Sequence, residues 1–364
     1  MKFSAESLIL RSGFCSLIII IAQKCDYFLL VRGQKVPAVF VFGDSFGDTG
    51  NNEFFGSIAT SDFPPYGRDF KHHIPTEGLG IKELLPPYLD PNLKAQDLLT
   101  GVCFASAGSG LDNLTFQVLN VIPFGKQIEY FKEYRKTITG LVGEEETTTI
   151  IREAIFFITI GSNDIGYYFL VSPRRLQFNV QEYTDFLLNT YTVYIKFPII
   201  FAPNSYIWVL ILQELYNLGA TRIALINLPP LGCLPIERTL TSLKNKGACD
   251  VERDEAASGF NSGLNAMIDG LKPVFPTLKI ASLDYNNLIS ELITNPSKYG
   301  LEVIARGCCG TGTIEVLLFT CNQLSPFTCP DASKYLFFDA VHLTQKAYQI
   351  ISNVFLTRYV AQHL

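Results

Sequence analysis

With 364 residues the chain has room for one large domain or two modest ones, and it can bury a substantial core without help from metals. Its 34 acidic residues against 29 basic ones leave a formal net charge of -5, which gives no reason to expect a nucleic-acid partner. Apolar residues make up 48 %, an ordinary share for a globular chain.

The chain opens with Lys2 and Arg11, followed by FCSLIIIIA at 14–22. A charged region before a short apolar core is the pattern of a secretory signal peptide, here within residues 1–30, with no clear cleavage site. The apolar run is too short for a comfortable membrane span. Residues 31–364 then form a single domain, expected in an extracellular or cell-wall location. Of nine cysteines, Cys15 and Cys25 lie in the leader region, and six of the remaining seven fall in the C-terminal half. That distribution suits local disulfides made in an oxidising compartment. Cys233 with Cys249 and Cys321 with Cys329 are the expected local pairs, while the adjacent Cys308 and Cys309 stay unassigned. Zinc-type Cys-x-x-Cys spacing is absent, and no metal or cofactor is expected. Asn113-Leu114-Thr115 is the only sequon without proline, which makes Asn113 a candidate for glycosylation.

Val36 to Phe42 is an apolar run broken only by Pro37, the pattern of a strand buried on both faces. Residues 61–91, rich in Pro, Gly and Asp, read mostly as loop. A short strand is expected over 102–105 and a helix over 123–136, which opens with Pro and spaces Ile128 and Phe131 three apart. The runs at 154–160, 222–228 and 278–284 are further strand candidates. Helical patterns occupy 181–218 and 252–271, and a last helix is expected over 344–359. Strands alternating with helices imply a mainly parallel sheet covered on both faces.

In such a sheet ligands bind at the carboxyl ends of the strands. Gly43-Asp44-Ser45, the segment 105–110 and Gly161-Ser162-Asn163-Asp164 each follow a strand candidate, so three separate segments converge on one edge. Only four histidines exist. His72 and His73 sit in the loop-rich region and His363 near the C-terminus. His342 differs, because it follows Asp339 by three residues, a spacing at which a carboxylate can reach an imidazole and hold its tautomer. With Ser45 these give the order Ser, Asp, His.

These motifs resemble those of the plant GDSL esterase/lipases, within the SGNH hydrolase superfamily. GDS at 43–45 matches the nucleophile block, with Phe46 where the family's Leu usually stands, and GDTGNN at 47–52 continues it. Gly108, Asn163 and the Asp339/His342 pair match the other blocks, and LPPLGCLP at 228–235 and RGCCGTG at 306–312 add to the likeness, which runs from about residue 36 almost to the end. The resemblance implies a three-layer α/β/α sandwich with a mainly parallel, five-stranded, flavodoxin-like sheet. It also implies a serine esterase or lipase acting on acyl or acetyl esters through an acyl-enzyme. Ser45 would be the nucleophile, His342 the general base and acid, and Asp339 the group that orients it. The Ser45 and Gly108 backbones and the Asn163 side chain would hold the oxyanion, with Asp44 and Asp164 in support. The implied partner is a small-molecule or lipid ester, with no stable membrane span; the sequence says nothing about oligomeric state.

The chain departs from the family pattern in three places besides Phe46. Cys103 replaces an Asn, with an expected loss of support for Gly108. A stretch that normally precedes LPPYL is missing before residue 81. The apolar insert at 190–211 has no family counterpart. It is read as retained non-coding sequence in preference to a lipid-contacting lid or a membrane span, which Lys196, Pro198, Pro203 and Asn204 oppose. These departures sustain an alternative reading, a catalytically impaired secreted binding or structural protein that keeps the fold.

Overall fold

The computed structural model describes residues 36–61, 63–69, 85–117, 119–188, 207–242, 246–312, 314–315, 320–322 and 327–360. The expected signal peptide, His72, His73, His363, the junction before residue 81 and most of the apolar insert lie outside them. Four strands form one parallel sheet in the order β1 (Val39–Gly43), β2 (Ile155–Thr159), β3 (Arg222–Ile226) and β4 (Lys279–Leu283). Every residue of β1 and β2 is buried, as expected of strands covered on both faces.

The fifth position of the sheet is filled irregularly. Residues 100–106 run along the free edge of β1, where Phe104 N–H donates to Val41 O at 2.7 Å and Ser106 N–H to Gly43 O at 3.0 Å. The spatial order is then that of a flavodoxin-like sheet, with the second segment of the chain outside the first. This edge does not develop into a regular strand because Cys103 also exchanges bonds with Pro86 and Tyr88 on its other side.

Helix α1 (Phe124–Val142) packs on β1. Its buried Phe124, Gln127, Ile128, Phe131, Tyr134 and Ile138 follow helical spacing and form its apolar stripe. Phe131 and Tyr134 meet Phe40 edge-on, with ring centroids 5.3 and 5.2 Å apart. Helices α2 (Glu144–Glu153) and α5 (Ile207–Asn217) pack against α1. Helix α6 (Val251–Leu271), with α3 (Ser162–Leu170) and α4 (Val180–Leu188) against it, belongs to the other layer. Helix α7 (Tyr285–Thr294) follows β4, and α8 (Gln345–Val354) is capped by Thr344. Among the described residues no helix is long and apolar enough to cross a membrane.

The cysteine-rich region adds two small ladders, β5 (Val303–Gly307) parallel to β8 (Tyr335–Phe337) and β6 (Cys309–Gly310) antiparallel to β7 (Phe327–Thr328). Cys233 bonds Cys249 as expected. The expected Cys321–Cys329 pair is replaced by Cys308–Cys329 and Cys309–Cys321. Neighbouring residues in extended chain point to opposite sides, so Cys308 and Cys309 must find separate partners. The bond from Cys329 N–H to Cys308 O, 2.7 Å, sets Cys329 directly opposite Cys308. Cys103 is buried and unpaired with any sulfur.

Mapping of non-reduced peptides is therefore expected to recover the 233–249, 308–329 and 309–321 links, with Cys103 alkylated only after unfolding. A recovered 321–329 link would contradict this pairing.

Candidate active site

The chain leaves β1 through a tight turn. Gly43 has φ +121°, and a Cβ there would fall 1.7 Å from Thr159 O, so only glycine permits the close approach to β2. The Gln127 amide brackets this residue, accepting from Gly43 N–H at 2.8 Å and donating to Gly43 O at 2.9 Å. Asp44 N–H then donates to Thr159 O, and the N–H groups of Gly47 and Asp48 return to Asp44 O. Ser45 stands at the tip of this turn. Asp44 accepts Phe46 N–H at 3.1 Å. Burial pushes its carboxyl well above the usual range, and the charges of Asp164 and Asp48 add to this against the Phe46 bond.

The residues after Ser45 are a scaffold for the second segment. Asp48 accepts the N–H groups of Gly50, Asn51 and Ala107. Asn51 donates to Cys103 O and Ala105 O, and Asn52 to Ala59 O and Ala107 O. Ser106 in turn donates to Asn52 Oδ1. Support for Gly108 thus comes from Asp48, Asn51 and Asn52. The Cys103 thiol donates to Gly47 O at 3.2 Å, and burial pushes it up to about 12. Gly108 itself has φ +85°.

Within 44–48 and 107–109, backbone bonding leaves two N–H groups without a protein acceptor. Asp44, Phe46 and Gly47 N–H donate internally, as do Ala107 and Ser109 N–H. Among the described residues, Ser45 and Gly108 N–H donate to no protein acceptor. Asn163, in the first turn of α3, donates one amide hydrogen to Ser109 O at 2.9 Å. Ser45, Gly108 and Asn163 line one cavity of about 360 Å³. Asp164 braces it from behind, accepting Leu111 N–H, Asp112 N–H and the Thr115 hydroxyl; burial outweighs these bonds and raises its carboxyl to about 7.

Asp339 and His342 come from the bend between β8 and α8. His342 Nδ1 lies 2.8 Å from Asp339 Oδ2, while Asp339 Oδ1 accepts the N–H groups of Val341 and His342 at 2.8 and 2.7 Å. Burial alone would raise the Asp339 carboxyl, but the His342 imidazole and these bonds hold it below the usual carboxylate range. The Phe46 ring lies edge-on to the imidazole, centroids 5.9 Å apart, and Val341 reaches the same cavity. The pair therefore borders the Ser45 turn.

The rest of the cavity is mainly apolar, with Leu119, Ile165, Leu231, Leu234 and Ile236 among its walls. Its charged lining residues are Glu237 and Arg253, in ionic contact at 2.5 Å. Asp250 and the Phe169 ring also hold Arg253. Burial raises the Glu237 carboxyl to about 7 despite Arg253. Among the described residues one group of side chains has metal-like proximity, Cys233, Cys249 and Asp254. Its two sulfurs are joined as a disulfide and are not thiolate ligands.

Sequence reasoning passed over Gln127 and Tyr66, whose hydroxyl donates to Asp339 Oδ2. Gln127 had a signal, a polar side chain on an otherwise apolar helix stripe. Asn113 begins a short helix with its side chain exposed.

A family model described as GDSL-like Lipase/Acylhydrolase matches residues 39–355. Relatives from Arabidopsis thaliana include GDSL esterase/lipase At2g42990, 37% identical over 340 residues covering 89% of this chain and 92% of the relative. GDSL esterase/lipase At3g14820 is 40% identical over 338 residues, covering 89% and 90%. GDSL esterase/lipase EXL3 is 35% identical over 341 residues, covering 90% and 88%. Most of the chain, including every segment that contributes to the cavity mouth, falls inside the family match, and the chain belongs to the GDSL-like lipase/acylhydrolase family of ester hydrolases.

Proposed function

We propose that the chain hydrolyses carboxylic esters by a Ser45–His342–Asp339 triad. The observation that carries this reading is the convergence of Ser45, Gly108 and Asn163 on the mouth of one apolar cavity. Ser45 Oγ attacks the ester carbonyl while His342 Nε2 takes its proton, and Asp339 steadies the resulting imidazolium. The tetrahedral oxygen receives the N–H groups of Ser45 and Gly108 and the second amide hydrogen of Asn163. Such fixed donors favour the charged transition state over the neutral ester. Collapse expels the alcohol, which takes the proton from His342. Water, deprotonated by the same imidazole, then releases the acid from Ser45.

The apolar walls suit the acyl chain of the ester. A cavity of about 360 Å³ with such walls has room for an acyl chain beyond acetyl. The leader sequence and three disulfides support a secreted protein. Exposed Asn113 is accessible for glycosylation in that setting.

Replacing Ser45 by Ala is expected to abolish both ester turnover and labelling by a fluorophosphonate probe, with the thermal unfolding temperature unchanged. Failure of the folded wild-type protein to label at Ser45 would replace this reading by that of a binding protein. Asn163→Ala is expected to lower kcat by about 10² to 10³, the scale of one oxyanion donor, with KM little changed. An unaltered kcat would remove Asn163 from the oxyanion site. Ile236→Trp, which narrows the cavity, is expected to lower kcat/KM for a hexanoyl ester by about tenfold or more relative to an acetyl ester. Equal effects on both esters would show that the acyl chain lies elsewhere.

A further inference from the structure

Asp339 Oδ2 receives two hydrogen bonds. One comes from His342 Nδ1, and the other from the Tyr66 hydroxyl, also at 2.8 Å. With Val341 and His342 N–H on Oδ1, the carboxylate has a donor for each of its four lone-pair sites. Tyr66 is itself firmly held. It lies in the turn 63–69, with its ring between Phe63 and Phe338 at centroid distances of 5.4 and 5.3 Å. Two residues on, Arg68 reaches Cys308 Sγ at 3.1 Å and Cys329 Sγ at 3.5 Å, fastening the turn to the disulfide beside β8. Burial, then the charge of Asp339 and the bond to it, keep the Tyr66 hydroxyl protonated far into the alkaline range, so it can only donate to the carboxylate.

We propose that Tyr66 is a positioning residue of the hydrolytic site, whose hydroxyl fixes the Asp339 carboxylate against His342 and takes a share of its negative charge. The proposal rests on the triad assignment above and extends it to a fourth side chain. A carboxylate held only by its own bend could rotate about its terminal torsion. The Tyr66 bond comes from a distant part of the chain and closes that freedom.

The direction of the effect on proton transfer follows from the charges nearby. The titratable and charged groups around the pair are Tyr66 and Arg68 from the turn, Glu315, whose carboxyl Asp339 helps to raise, and Asp44 and Tyr285 beyond Phe46. Removing the hydroxyl leaves more of the Asp339 charge directed at the imidazole, which favours imidazolium. It also makes the carboxylate itself easier to protonate. The two groups titrate as a pair, and both changes move the acidic limb of the pH–rate profile to higher pH.

The test is Tyr66→Phe, which keeps the ring packing, with Tyr299→Phe as a control whose hydroxyl bonds Glu291 away from the site. Using p-nitrophenyl acetate, kcat at neutral pH is expected to fall by about 10- to 100-fold, the scale of a hydrogen bond to a charged group, with KM unchanged. The acidic limb of kcat/KM is expected to move upward in Tyr66→Phe and to stay in place in the control. NMR titration of the His342 ring nitrogens reads the same displacement without any turnover. Profiles and NMR titrations that superimpose on the wild type, even with a lowered unfolding temperature, would reduce Tyr66 to a packing role and overturn the proposal. If the wild-type protein hydrolyses no ester, the functional reading fails, and the NMR titration still decides whether Tyr66 controls His342.

Discussion

One buried carboxylate, that of Asp48, sets the distance between the two backbone segments that meet at the cavity mouth. Its Oδ1 gathers the N–H groups of Gly50 and Asn51 just after the Ser45 turn, and its Oδ2 takes Ala107 N–H just before Gly108. The parallel sheet alone would leave these segments free to shift, because 100–106 meets β1 through a few bonds and not a full ladder. Asn51 and Asn52 extend the same fastening along 103–107. Burial raises the Asp48 carboxyl while its backbone donors oppose the rise, so the clamp and its environment compete.

Asp44, Asp48, Asp164 and Asp339 are all buried at this edge, and they differ in what faces them. Asp44 receives one bond from outside its own residue, leaves Oδ2 without a partner among the described residues, and is driven strongly towards the neutral acid. Asp48 and Asp164 receive three each and are raised less decisively. Asp339 receives four, one of them from an imidazole, and is the one held below its ordinary range. Donor count and a neighbouring imidazole, rather than depth, sort the four. The carboxyl held low is therefore that of Asp339 and not that of Asp44, the one next to Ser45 in sequence.

The strands and the Asp339–His342 contact were legible in the sequence because each is a local pattern. Buried parallel strands are continuous apolar runs, and the Asp339–His342 spacing is a single bend. The edge segment 102–105 was visible as a strand, but its second set of bonds to Pro86 and Tyr88 was not, since that depends on where a proline-rich loop lies. Cysteine pairing was misjudged at Cys321 because proximity along the chain competes with strand geometry, and geometry decided it. Tyr66 was invisible in a loop of Pro, Gly and Asp, because nothing local distinguishes a tyrosine that meets a carboxylate from one that meets solvent. Helices α2, α3 and α7 were also passed over, two of them directly after strands whose apolar runs dominate the local pattern.

The placement of Asp339 and His342 after β4 has a consequence for biosynthesis. The Ser45 turn and the Gly108 segment are made early, on β1 and its edge, whereas the His342 imidazole arrives only with the bend before α8. Chains emerge N-terminus first and acquire structure in that order. A nascent chain therefore carries Ser45 through β2, β3 and β4 before His342 has been made. Its C-terminal cysteines are joined across the same late segment, at 308–329 and 309–321. The proposed Ser45–His342–Asp339 set can therefore come together only when synthesis is nearly finished.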